Sequence, residues 1–81
     1  METLKKIVAK TLAVKEGEIE LASSPKNLSS WDSFNSFMII SEIESNFNVK
    51  LSSSDIMTIE TVKDIVETLR RLNVEEKFLV I

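Results

Sequence analysis

Asp32 and Ser33 are the residues with the most chemistry within reach. They stand together where a helical apolar period begins, so the serine hydroxyl falls at the positive end of a helix dipole, beside a carboxylate. A phosphate ester in that place is stabilised by the dipole and by the free backbone N–H groups of the first turn. Asp-Ser at a helix start is also an ordinary capping pair, and these two residues by themselves leave both roles open. Little else competes for chemistry. The sequence has no cysteine and no histidine, so it offers no thiolate, no disulfide and no imidazole base or metal ligand. Catalysis at neutral pH has few routes left, and any chemistry must be borrowed from a cofactor or a partner. The expectation is a protein that is not itself an enzyme.

The element that carries this pair runs from about Ser33 to Phe47. Asp32 suits its N-cap, with Ser30 as a rival. At roughly 100° per residue, Ile39, Ile40, Ile43 and Phe47 share one face, with Ser36 among them, while Phe34, Phe37 and Met38 lie on the opposite side. Either the helix is buried all round or its second apolar face is displayed. Three other helices of a short chain give too little cover to surround a fourth, and Ser41, Ser45 and Asn46 dilute the second face. The displayed patch is therefore the expectation, with Phe34, Phe37, Met38 and Ser41 as a partner surface. The alternative is that the tail, through Phe78 and Leu79, folds back over part of it.

The other elements must hold that helix in place. Leu4, Ile7, Val8 and Leu12 give an amphipathic helix over about 3–15, with Lys5, Lys6, Lys10 and Lys15 on its solvated side. Residues 16–30 lack a helical period and form a long loop, with Ile19, Leu21 and Leu28 as candidate pins. Ser52, Ser53, Ser54 and Asp55 can cap a short third helix through Met57. Thr61 with Asp64 forms a capping-box pattern ahead of Val62, Ile65, Val66, Leu69 and Leu72, and Arg70 and Arg71 suit the negative end of that last helix. The expected core is Leu4, Ile7, Val8, Leu12, Ile39, Ile43, Phe47, Leu51, Ile59, Val62, Ile65, Val66 and Leu69. The state of 73–81 is not legible.

Composition narrows the class. Eighty-one residues suffice for one domain, and one glycine with one proline is too few for the turns of an all-β fold. The fold class expected is all-α, a four-helix bundle with a short third helix. Ten Lys plus Arg against thirteen Asp plus Glu give a net charge of −3 without a basic cluster, which argues against nucleic acid. No apolar run approaches the roughly 20 residues that span a bilayer, and the N-terminal residues lack a signal-peptide pattern. A cytoplasmic, monomeric protein with no membrane insertion is expected.

The same residues resemble the acyl carrier protein family. Asp32-Ser33-Phe34, with apolar residues at 37, 39, 40, 43 and 47, resembles the family's Asp-Ser-Leu motif and second helix. Phe47-Asn48-Val49-Lys50-Leu51 is similar to the exit from that helix. Asp55, Ile59, Thr61, Val62 and Asp64 are similar to the third helix and the Thr-Val-x-Asp opening of the last. Leu12, Val14 and Ile19 fall at the matching distance ahead of the serine. The likeness runs without a gap over about 3–72, and it implies a single carrier domain over 1–81 with 73–81 as a tail.

That resemblance implies that Ser33 accepts phosphopantetheine from coenzyme A through a magnesium-dependent phosphopantetheinyl transferase, with Asp32 capping the helix and helping to place the metal. It implies a thiol-ended arm that carries acyl or aminoacyl groups as thioesters between loading and transferring enzymes, as in fatty acid, polyketide or nonribosomal peptide biosynthesis. Phe34 departs from the usual leucine. Asn35 and Met38 stand at positions often acidic in fatty-acid carriers, and Glu42 and Glu44 are the only acids between Ser33 and Phe47. Such a helix is read by apolar contact more than by charge, which points to a specialised, stand-alone carrier. The rival reading is a carrier-fold protein that only binds other proteins through Phe34, Phe37 and Met38. An unrelated four-helix adaptor is a further alternative.

Overall fold

The computed structural model describes residues 2–81, and these form helices and turns with no strand among them. Helix α1 spans Leu4–Leu12, α2 Ser33–Phe47, α3 Ser53–Thr58 and α4 Val62–Arg71, with single 3-10 turns at Glu16–Glu18 and Glu76–Phe78. The all-α bundle with one short third helix is the architecture expected from the residue pattern.

Each helix starts on a side-chain cap. Thr3 Oγ1 accepts from the Lys6 N–H at 3.3 Å, and Asp32 Oδ1 accepts from the Asn35 N–H at 2.8 Å. Ser30 is not the cap of α2; its carbonyl instead accepts from Asn35 Nδ2 at 2.8 Å. Ser52 with Asp55, and Thr61 with Asp64, form reciprocal capping boxes. The Ser52 backbone N–H, then its hydroxyl and the Arg71 guanidinium, hold the Asp55 carboxyl below its usual range. The Glu60 and Thr61 N–H groups do the same for Asp64. Because both values are lowered on folding, these caps contribute above the ordinary carboxylate range and weaken as pH falls through the lowered values.

Three helix ends share one device. Ala13, Asn48 and Asn73 take positive φ of 57°, 53° and 68°. The following Val14, Val49 and Val74 N–H groups donate back to the Ala9, Glu44 and Leu69 carbonyls. All three valines are half-buried against the core. The first helix therefore stops at Leu12, short of the expected 15, because Ala13 turns left-handed so that Val14 can pack inward.

The core is the expected one with a single exception and five additions. Ile59 is only half-buried, since it lies just past the end of a six-residue helix that buries none of its own side chains. Ala9, Ile19, Trp31, Ile40 and Leu79 are buried as well. In the long loop Ile19 is buried and Leu28 half-buried, but Leu21 is exposed and pins nothing. Its carbonyl is used instead: Leu21 O and Ser23 O accept from the Lys63 and Val62 N–H groups, so the loop closes the open start of α4.

The tail also belongs to the core. Leu79 is buried, and the Phe78 ring packs against Phe47 with centroids 6.0 Å apart. Arg70 donates to both carboxylate oxygens of Glu76, an exposed pair of modest worth. This return lies against the C-terminal end of α2, so it does not cover Phe34 and Phe37 at the other end.

Candidate functional site

The site is built on the first turn of α2. Ser33 is the first helical residue and is exposed, while the capping duty falls to Asp32. The two roles left open by the residue pair are thereby separated: Ser33 is not needed as the cap. The Asp32 carbonyl accepts from the Ser36 N–H at 2.8 Å, and the Asn35 N–H is held by the Asp32 carboxylate. The earlier N–H groups of the helix have no intrahelical carbonyl to reach, and with the dipole they make the surroundings of Ser33 Oγ favourable to an anion.

Beside Ser33 lies an apolar groove of about 210 Å³ between the first half of α2, the end of α3 and α4. Its walls are Trp31, Phe37, Ile39, Ile40, Ile56, Ile59 and Ile65, with Pro25 and Ser36, and no charged side chain lines it. Ile56 and Ile59 owe their place to α3, which is tied to α4 by the ion pair between Arg71 and Asp55.

The two phenylalanines flank the serine on the outer face. Phe34 and Phe37 are each 70% exposed, which decides for a displayed face over a helix buried all round. Ser41 is exposed on the same helix. Met38 departs from the expectation. It is only partly exposed, and with Phe34 it lines a shallow groove against Ile7, Lys10 and Thr11 of α1. The displayed apolar surface is therefore narrower than expected on α2, and it reaches α3 at Ile56, which is 42% exposed and lines the same groove as Phe37.

Sequence reasoning did not find the partnership of Trp31 with Ser36. The buried indole Nε1–H donates to Ser36 Oγ at 2.7 Å. The signal was present, since a serine on the buried face of a helix and a buried tryptophan N–H each require a partner. Among the described residues no buried side-chain nitrogen or oxygen is left without one, and no helix is long and apolar enough to cross a membrane.

These features fit an anionic tether: a hydroxyl free of capping duty, at a helix start, with an apolar wall beside it. The family model described as "Phosphopantetheine attachment site" matches residues 2–69, a span that contains the Asp32-Ser33 pair, all of α1 to α3 and most of α4. Domains of this kind are in general carriers and not catalysts, and they work with partner enzymes. The tail that packs on Phe47 lies beyond the matched span. With the match covering most of an all-helical bundle, the chain belongs to the phosphopantetheine attachment-site family and has the role of a carrier with covalently attached phosphopantetheine.

Proposed function

We propose that the chain is a single carrier domain that holds acyl or aminoacyl groups as thioesters on an arm attached to Ser33 and offers them to partner enzymes. The observation that carries this reading is the exposed Ser33 at the start of α2 with its cap supplied by Asp32, inside the matched span. In the transfer, Ser33 Oγ bonds to the phosphorus of coenzyme A nearest the pantetheine as the bond from that phosphorus to 3′,5′-adenosine diphosphate breaks. The hydroxyl proton passes to a base of the transferase, and Asp32 helps to place the magnesium ion. The attached group supplies a terminal thiol on a flexible tether, a function that the chain, without cysteine, lacks.

The missing cysteine gives a clean test. The unmodified protein should react with no thiol reagent. After incubation with coenzyme A, magnesium and a broad-specificity transferase, followed by removal of small molecules, it should present one titratable thiol per chain. A protein that stays thiol-free would sink the carrier reading and leave a protein-binding module.

Recognition of partners should rest on the apolar outer face. Phe37→Ala is expected to weaken loading by the cognate enzyme by about 1 kcal/mol or more, as interface anchors do. Its unfolding midpoint should hardly move, because Phe37 is 70% exposed. Raising salt should change the interaction little, since Glu42 and Glu44 are the only acids between Ser33 and Phe47. A large drop in midpoint would make Phe37 a core residue, and unchanged loading would remove its role in recognition.

A further inference from the structure

Trp31 and Ser36 bracket Ser33 in sequence and are joined in space. Trp31 is 4% exposed, and its indole N–H donates to Ser36 Oγ, one turn into α2, at 2.7 Å. Further bonds tie the same stretch. The Trp31 backbone N–H donates to Leu28 O at 2.9 Å, and Asn35 Nδ2 donates to Ser30 O at 2.8 Å. The approach to α2 is thus held on one side of Ser33 and the first turn on the other. An exposed serine between two such anchors has its backbone position fixed while its side chain stays open to solvent.

We propose that the Trp31–Ser36 hydrogen bond is a clamp that sets the position of Ser33 Oγ for phosphopantetheine transfer. Trp31 is then a positioning residue for that reaction, a proposal that rests on Ser33 as the attachment site. The clamp is maintained because a buried donor without a partner is costly. Its effect on rate follows from geometry: an attacking atom displaced by about 1 Å can lose on the order of a hundredfold in reactivity. Trp31 is buried and offers a transferase almost no surface, so loosening the clamp should lower kcat and leave KM nearly unchanged.

The test is loading by a transferase with coenzyme A, measured well below the unfolding midpoint of each variant. Trp31→Phe keeps an aromatic ring and removes the donor; Ser36→Ala removes the acceptor and strands the indole N–H. Each should lower kcat roughly tenfold or more, and Ser36→Ala should also lower the midpoint. The double variant Trp31→Phe/Ser36→Ala has no stranded donor, so its midpoint should rise above the value expected from adding the single effects. Its kcat should stay low. Recovery of rate together with midpoint would make the bond purely structural and overturn the clamp, as would Trp31→Phe loading at the unaltered rate. Ser33→Ala, run in parallel, separates the two claims. If it is silent while the clamp variants load normally, only the clamp fails; if it is loaded, the attachment site is misassigned and the clamp falls with it.

Discussion

Ile43→Ala is expected to cost roughly 2–5 kcal/mol of stability, the range for truncating a fully buried aliphatic side chain. Ile43 is 0% exposed and lies in the C-terminal half of α2, in the same buried cluster as Leu4, Ile7 and Ile65. The loss combines removed transfer free energy with a cavity that helices tied at both ends cannot close. A small domain has only about 5–15 kcal/mol in total, so the fraction lost is large. Urea unfolding gives the measurement, as a fall in the midpoint at constant m-value. A loss under about half a kilocalorie, as for a surface substitution, would mean that α2 faces the other way. The displayed face bearing Phe34 and Phe37 would then be the core.

Ser33→Ala is expected to abolish loading altogether while leaving far-ultraviolet circular dichroism and the unfolding midpoint nearly unchanged. The two halves of that expectation have separate causes. Loading ends because alanine has no oxygen to form the phosphoester. The fold survives because Ser33 is exposed, Asp32 retains the cap, and alanine suits a helical position at least as well as serine. Treatment with coenzyme A, magnesium and a transferase should therefore yield no thiol on this variant. A thiol gained despite the substitution would move the attachment to another hydroxyl.

The sequence made the helices legible because their apolar stripes and caps agree with one another. Asp32, Ser52 and Thr61 mark three helix starts by chemistry that competes with few alternatives. The ends were harder to see. Ala13 is intrinsically a good helix former, and its left-handed turn is set by the inward packing of Val14, a tertiary effect. Asn48-Val49 and Asn73-Val74 repeat the same device with a residue type that tolerates positive φ, a clue that the first helix lacks. The tail was unreadable because nine residues with one short apolar run have no period of their own. Leu79 and Phe78 acquire a place only against Phe47 and the rest of the core.

In the site, periodicity located Ser33, the phenylalanines and the buried face of α2, each of which depends on local spacing along one helix. It overstated the exposure of Met38, which depends on how closely α1 approaches. It also left the groove unseen, since Ile56, Ile59 and Ile65 come from α3, the link that follows it and α4. Trp31 was missed because it lies in a loop, where no period applies, and its value depends on an acceptor five residues away.

Attachment of the arm at Ser33 can be read from mass spectrometry of the intact protein followed by fragmentation. After incubation with coenzyme A, magnesium and a broad-specificity transferase, the protein should be a single species heavier by one phosphopantetheinyl group, with the added mass on the fragment that contains Ser33. An unchanged mass under conditions that fully load a known carrier, or an increment on any other residue, would contradict it.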